Sequence, residues 1–205
     1  GRRAGSRRAW LLAGLAWFVG SLPAAQAQTF NQVAVGVGPG CNFSSIQAAI
    51  DAAPAGSNQR TTVRVTRSLV YLQQKLVING KNVVLRGGFA DCQQVAPDAI
   101  LTRIDGTGGA TGSVVEFKGL TDEVGLRNLE ITGGDASRGG GVLVHEGPHT
   151  RVLLSNLFVH HNSASYGGGV YVAQQGPVQL ESVRLENNTA SLYGGGLGCE
   201  VGNVQ

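Results

Sequence analysis

Short runs of alternating apolar and polar residues fill the chain from about residue 61 onward, and each run ends at Gly, Asn or Asp. Examples are 62–65, 76–78, 83–85 and 113–117. A period of two places successive side chains on opposite faces of a β-strand, and Gly, Asn and Asp are typical of the turns between strands. The pattern therefore predicts an all-β fold built from many short strands.

One segment near the N-terminus has helical spacing instead. Residues 44–47 read Ser-Ser-Ile-Gln, which matches an S-x-x-Q capping box, and Pro54 follows the last apolar position. The apolar residues that recur three or four apart are Ile46, Ala49, Ile50 and Ala53. We predict a short helix over about 44–53 within an N-terminal cap of residues 28–60.

An internal repeat is the most informative feature of the sequence. Residues 128–144 read NLEITGGDASRGGGVLV, residues 156–172 read NLFVHHNSASYGGGVYV, and residues 182–199 read SVRLENNTASLYGGGLGC. The glycine triplets begin at Gly139, Gly167 and Gly194, at intervals of 28 and 27 residues. Such a period of strands and glycine turns predicts a solenoid in which each repeat forms one β-coil. We expect residues 61–205 to form these coils, with no closing cap before the sequence stops.

Equal positions of successive repeats should stack at the strand spacing of about 4.8 Å. The stacking predicts inward columns such as Leu129/Leu157/Val183 and Val142/Val170/Leu197. The glycine triplets suit corners that need positive φ or leave no room for a Cβ atom. We also expect Asn162 and Asn188 to form a side-chain ladder at a turn, with amides hydrogen-bonded from coil to coil.

The alternation sends Phe158, His160, Tyr171 and Glu186 outward, and these residues form the candidate binding row. The two aromatic rings could stack on sugars, and His160 above Glu186 could share a proton or hold a metal with a third ligand. Because no nucleophile or third ligand accompanies them, we expect a mixed polar surface and assign no catalytic residue, metal or cofactor. Residues 145, 146 and 149 (His, Glu and His) are expected to belong to a surface loop.

The three cysteines have different expected roles. Cys41 precedes the cap helix and Cys92 follows an early strand, so a disulfide between them could pin the cap to a coil. Closing that loop would contribute about 2–4 kcal/mol. Cys199 falls in an inward column, where we expect a small buried side chain.

Residues 1–27 predict a signal peptide. Four arginines precede an apolar run over 9–20, and Pro23 and the sequence Ala25-Gln26-Ala27 follow, so cleavage is expected before Gln28. The run is shorter than the ~20 residues that span a bilayer. Residues 6–11 also resemble a twin-arginine signal, so the sequence leaves the export route open. We expect an extracellular, cell-surface or periplasmic protein.

The charge balance argues against a nucleic-acid partner. The formal net charge is +3, from 16 basic and 13 acidic residues. The leader holds four of the basic residues and no acidic one, so twelve basic residues remain against thirteen acidic ones. A net charge of −1 gives no electrostatic support for binding nucleic acid.

The string from Phe43 to Pro54, with Val63-Arg64-Val65 and the segment 82–88, resembles the cap and first coils of right-handed parallel β-helix proteins of the pectate-lyase-like superfamily. The glycine units are similar to repeats of polymorphic outer-membrane and autotransporter passenger proteins. The resemblance covers most of residues 41–200. It implies a right-handed parallel β-helix with a short capping helix, a fold that hosts many activities.

These observations favour an exported or cell-surface β-helix that acts as a monomeric, adhesin-type scaffold without catalysis. Its expected ligand is a polysaccharide or another cell surface, and membrane attachment would come only from a C-terminal anchor or translocator beyond residue 205. The alternative is a polysaccharide lyase or glycoside hydrolase whose active site lies beyond this fragment.

Overall fold

The computed structural model describes residues 29–119, 123–145, 151–173 and 176–201. Over these residues the chain is an all-β parallel solenoid of about six turns, so the predicted fold class is confirmed. The one helix among them is short and lies near the N-terminus. The predicted signal peptide, residues 1–27, lies outside the described residues.

Fifteen strands and one helix make up the described parts of the chain. In chain order they are β1 (Thr29–Val35), α1 (Ile46–Ala52), β2 (Gly56–Thr66), β3 (Leu76–Asn79), β4 (Lys81–Phe89), β5 (Thr102–Asp105), β6 (Val115–Lys118), β7 (Val124–Thr132), β8 (Asp135–Arg138), β9 (Val142–Val144), β10 (Val152–His160), β11 (Ser163–Tyr166), β12 (Val170–Ala173), β13 (Val178–Glu186), β14 (Thr189–Tyr193) and β15 (Leu197–Val201).

The strands form three parallel sheets along the solenoid. The seven-stranded sheet has the order β1-β2-β4-β7-β10-β13, with β5 also paired to β7. The five-stranded sheet runs β15-β12-β9-β6-β3, and the three-stranded sheet runs β14-β11-β8. Each of the last coils therefore gives one strand to each sheet, in the order seven-, three- and five-stranded.

The core consists of the inward columns that the repeat predicted. Leu157 pairs with Leu129 and Val183, and Val170 pairs with Val142 and Leu197. Leu129 is fully buried and Leu157 is 2% exposed. Full burial of such a side chain contributes about 1.5–3 kcal/mol, so continuous columns provide most of the apolar stabilisation.

The glycine triplets form the corner between the three-stranded and the five-stranded sheet. The first glycine of each triplet has positive φ: 57° at Gly139, 60° at Gly167 and 71° at Gly194. The second position of the triplet requires glycine because successive coils approach closely there. A Cβ atom on Gly140 would lie 2.5 Å from the Ser163 carbonyl oxygen. The corner therefore uses both properties of glycine.

An asparagine ladder joins successive coils at the turn after the seven-stranded sheet. Asn162 Nδ2 donates to Asn188 Oδ1 at 3.0 Å, and Asn162 Oδ1 accepts from the Gly134 amide at 2.9 Å. Asn162 Nδ2 also lies within hydrogen-bonding distance of the Ile131 and His160 carbonyl oxygens. Asn162 is 1% exposed, so its side chain replaces water for several buried backbone groups.

Helix α1 covers one end of the solenoid. Ser45 is the N-cap, and its side chain accepts a hydrogen bond from the Ala48 amide. The Gln47 side chain makes the two hydrogen bonds that a neighbouring strand would make. Its Oε1 accepts from Val77 N at 2.9 Å, and its Nε2 donates to Val77 O at 3.1 Å. These bonds satisfy part of the edge of β3, which would otherwise be open to another chain.

Two features of the N-terminal half depart from a simple repeat. Strand β1 lies within the region assigned to the cap and pairs in parallel with β2. An insertion between β4 and β5 interrupts the seven-stranded sheet, and β5 then continues the pairing with β7. The insertion carries Cys92, which is bonded to Cys41, and Asp98, which pairs with Arg67 at 2.7 Å.

Candidate functional site

The outer face of the seven-stranded sheet carries three of the four residues of the predicted binding row. His160 is in register with Glu186, as the repeat implies, but its Nε2 atom lies 3.0 Å from Glu130 Oε1 on the preceding coil. Glu186 instead forms an ion pair with Arg184 on its own strand. The hydrogen bonds that would let His160 and Glu186 share a proton therefore go to other partners, Glu130 for His160 and Arg184 for Glu186.

The neighbouring aromatic residue is enclosed as well. The rings of Phe158 and His160 stack with centroids 4.2 Å apart, and the Arg184 guanidinium lies 4.9 Å from the Phe158 ring centroid. Phe158 is half-buried and His160 is 8% exposed. We call Glu130, Phe158, His160, Arg184 and Glu186 the Phe158 strip; its members use one another as partners.

Tyr171 lies on a different face, so the four predicted residues do not form one row. It belongs to β12 of the five-stranded sheet and is 6% exposed. The Tyr166 ring covers it, with ring centroids 6.3 Å apart, and Arg138 Cζ lies 5.4 Å from the Tyr171 ring centroid. Its hydroxyl donates to Glu200 Oε2 at 3.1 Å. Burial raises the pKa of Tyr171, and the bond to Glu200 raises it further.

The two side chains against Tyr171, together with Tyr193, form a column on the three-stranded sheet. Arg138 pairs in register with Tyr166, and Tyr166 pairs with Tyr193. The two tyrosine rings lie 5.9 Å apart with an interplanar angle of 30°, and Tyr193 is 73% exposed. Arg138 also forms an ion pair with Glu200 at 3.0 Å. We call Arg138, Tyr166 and Tyr193 the tyrosine column.

The sequence contains a signal for this column that the alternation rule did not use. Each of its residues directly precedes a glycine triplet, so the three occupy equal positions in the repeat. Gly198, which is in register with Tyr171, is a second sequence feature that indicates this packing. A Cβ atom at Gly198 would lie 2.7 Å from Tyr171 Cδ2, so the glycine makes room for the buried ring.

A groove of about 360 Å³ adjoins the column and shares Arg138 with it. Within it, His145 Nε2 lies 3.2 Å from Glu116 Oε1, and Lys75 Nζ donates to the Thr111 carbonyl at 2.9 Å. Lysine, arginine, histidine and glutamate side chains thus face one concave surface. Its main side-chain lining comes from Lys75, Ser113, Glu116, Arg138, Leu143 and His145.

The described parts of the chain contain no group of three His, Cys, Asp or Glu side chains placed to hold a metal ion. Of the loop at 145–149, residues 146–149 lie outside them. Cys199 pairs in register with Val172 but is exposed, in contrast to the expected burial. None of the helical structure described is long and apolar enough to cross a membrane.

Together, the fold and these surfaces define a parallel β-solenoid with a charged outer strip on one sheet and an aromatic column on another. None of the protein-family models, curated proteins and solved structures compared with this chain matches it. The function must therefore be inferred from the geometry of the surface.

Proposed function

We propose that this protein is an exported β-solenoid scaffold that binds polysaccharide without catalysis, and that the tyrosine column is its binding surface. The observation that carries the proposal is the alignment of Tyr166 and Tyr193 at equal positions of consecutive coils, with their ring centroids 5.9 Å apart. Tyrosine combines an apolar ring with a polar hydroxyl, which suits a ligand that has both C–H and O–H surfaces.

The spacing of the coils fits a linear glycan. Successive coils of a parallel sheet are about 4.8 Å apart, a distance comparable to the length of one pyranose unit. The rings of Tyr166 and Tyr193 are 5.9 Å apart, so neighbouring sugars of a chain lying along the solenoid axis could each contact one ring. A solenoid thus offers a repeated site to a repeated ligand.

The adjoining groove supplies polar contacts for the same chain. Lys75 and Arg138 provide N–H donors, and Glu116 provides acceptors, on a surface continuous with the column. Sugars present many hydroxyl groups, so placed donors and acceptors would fix the orientation that stacking alone leaves free. This arrangement supports recognition of a glycan over binding of a purely apolar ligand.

Export and surface location form part of the proposal. They rest on the signal-peptide pattern over residues 1–27. The resemblance to pectate-lyase-like β-helices and to outer-membrane passenger repeats also favours an exported scaffold. The monomeric, adhesin-type role is proposed on the same basis.

Binding of soluble polysaccharides to the purified protein tests the proposal. A panel of neutral glucans, xylan, polygalacturonate and alginate is screened by affinity electrophoresis, and the best ligand is then titrated. Tyr193→Ala should weaken binding about tenfold or more, because it removes one exposed ring. Leu192→Ala is the matched control, since Leu192 is an exposed neighbour of 57% exposure, and it should leave binding unchanged.

Two results would contradict this function. Absence of binding across the panel, or equal binding by the Tyr193 and Leu192 variants, would remove the role of the column. The same samples are assayed for new reducing ends and unsaturated ends. Turnover would contradict the non-catalytic assignment and favour a polysaccharide lyase or glycoside hydrolase.

A further inference from the structure

Two adjacent histidines place nitrogen atoms side by side at the end of β10. His160 Nδ1 and His161 Nδ1 are 2.7 Å apart. Neighbouring residues of a regular strand point to opposite faces, but His161 has φ of 52°, and this left-handed conformation ends the alternation. The backbone therefore brings both imidazoles to the same side of the coil.

The surrounding side chains hold His160 in one orientation. Its Nε2 atom lies 3.0 Å from Glu130 Oε1, and its ring stacks on Phe158. A carboxylate can only accept here, so in neutral His160 the proton resides on Nε2, and the lone pair of Nδ1 points toward His161. A carboxylate that orients the second nitrogen of a histidine is typical of metal-binding imidazoles.

The charge of this face also suits a cation. Five charged side chains lie on the same rows of the seven-stranded sheet: the carboxylates of Asp105, Glu130 and Glu186 and the guanidinium groups of Arg103 and Arg184. With neutral histidines their sum is −1. His160 is 8% exposed, whereas His161 is exposed, so an ion could reach the pair from solvent.

We propose that His160 and His161 bind a first-row divalent transition metal ion through their Nδ1 atoms, with water completing the coordination and Glu130 as a positioning residue. Imidazole nitrogen suits Zn²⁺, Ni²⁺ and Cu²⁺. Metal–nitrogen bonds of about 2.0–2.1 Å place two tetrahedral ligands about 3.3 Å apart, so the exposed His161 ring needs to move outward by roughly 0.6 Å. In the metal-free protein His161 Nδ1 donates to His160 Nδ1. When the metal binds, that proton passes to solvent and His161 Nε2 takes up one proton, so no net proton is released.

This inference is independent of glycan binding, because the histidine pair lies at the end of a strand of the seven-stranded sheet and the tyrosine column on the three-stranded sheet. The two activities can therefore be lost separately. A variant that lacks the metal site should keep the glycan affinity of the parent protein.

Titration of the purified, disulfide-intact protein with NiCl₂ by isothermal calorimetry tests the site. All proteins carry Cys199→Ala, which removes an exposed thiol that could also bind Ni²⁺. His160→Gln and His161→Asn should each abolish the binding event. Asn is chosen at 161 because Asn187, at the equivalent position of the next coil, has φ of 48°, so the left-handed backbone is preserved.

Two further variants sharpen the result. His145→Asn removes a histidine elsewhere on the surface and should leave Ni²⁺ affinity unchanged. Glu130→Gln should weaken affinity roughly 10–100-fold, the usual effect of losing an outer carboxylate. Its ¹⁵N imidazole spectrum should also show His160 shifting between tautomers, which a merely structural role would not produce.

The proposal predicts one Ni²⁺ per chain that depends on both histidines. It is overturned if the parent protein binds no Ni²⁺, or if the folded His161→Asn variant binds as the parent does. Circular dichroism of each variant confirms that loss of binding does not reflect unfolding.

Discussion

The Phe158 strip and the tyrosine column are outer faces of the same coils, but they differ in how their side chains are used. In the strip, the ring of Phe158 stacks on His160 and has the Arg184 guanidinium over it, and His160 Nε2 lies 3.0 Å from Glu130 Oε1. In the column, the rings of Tyr166 and Tyr193 follow one another from coil to coil with centroids 5.9 Å apart, and the Arg138 guanidinium lies 5.9 Å from the Tyr166 ring centroid. The column therefore repeats an aromatic ring on successive coils, whereas the strip has a single ring among charged side chains.

The difference arises from where each face lies along the coil. The strip occupies straight strands, where residues two apart point the same way and can pair, as Arg184 and Glu186 do. The column lies directly before a glycine corner, where the chain turns away. The Tyr166 ring at that position packs against Tyr171, and the Tyr193 ring packs against Tyr166.

The largest expected effect on stability comes from removing the asparagine ladder, which holds both faces in register. Asn162→Ala removes a buried amide and leaves the Gly134 amide without its acceptor, so unfolding free energy should fall by about 2–4 kcal/mol. Urea unfolding followed by circular dichroism measures it. Asn187→Gly, at an exposed left-handed position beside the ladder, should change stability by less than about 0.5 kcal/mol. Equal effects would show that the ladder contributes nothing specific.

Gly198→Ala should disturb the column and leave the strip intact. The new Cβ atom would lie 2.7 Å from the Tyr171 ring and 3.0 Å from the Gly167 backbone nitrogen. We expect destabilisation of about 1–3 kcal/mol and weaker glycan binding. Leu192→Ala, at an exposed position before the same glycine triplet, is the control and should be nearly neutral. A stable Gly198 variant with unchanged binding would contradict the role of Tyr171 in supporting the column.

Alkaline pH should weaken the support beneath the column. The pKa of Tyr171 is raised by burial and by Glu200. The unfolded chain therefore loses this proton first, near its ordinary pKa of about 10, and the contribution of Tyr171 to stability declines as pH rises through the folded pKa. Comparing urea midpoints at pH 8 and above 10, Tyr171→Phe should reduce the decline. Part of the decline in the urea midpoint should remain in this variant, because burial also raises the pKa of Tyr71.

The smallest effect on stability and glycan affinity is expected at the edge of the Phe158 strip. Arg184→Gln removes an ion pair whose arginine side chain is 67% exposed, so stability should change by less than about 1 kcal/mol. Glycan affinity should stay at the parent value, measured by the same titration as for Tyr193→Ala. A marked loss of glycan affinity would mean that the strip, and not the column, contacts the ligand.

The repeat predicted much of this architecture because its period fixes register. Once the glycine triplets are aligned, the partners of Leu157 and Val170 follow directly. The insertion carrying Cys92 and the start of β1 were not predictable from the period, because each occurs once. Alternation placed Tyr171 on the outside but could not show that Tyr166, from another sheet, covers it.

The hydrogen-bond partner of His160 could not be predicted from the period either. The period identified Glu186 as its lateral neighbour, whereas the shorter contact is diagonal, to Glu130. Diagonal contacts depend on side-chain rotamers and on competing partners such as Arg184, which register does not specify. The position before each glycine triplet was available in the sequence and would have pointed to the tyrosine column.

The central claim is that the tyrosine column binds glycan, and NMR of the protein labelled with ¹³C-tyrosine and ¹³C-phenylalanine tests it most directly. The chain has four tyrosines, and Tyr71, 4% exposed and distant in sequence, is an internal reference. Titration with the best polysaccharide fragment from the panel should shift the Tyr193 and Tyr166 signals most and leave Tyr71 unchanged. Saturable binding that shifts none of the column tyrosines, or that instead moves the Phe158 ring, would contradict the claim.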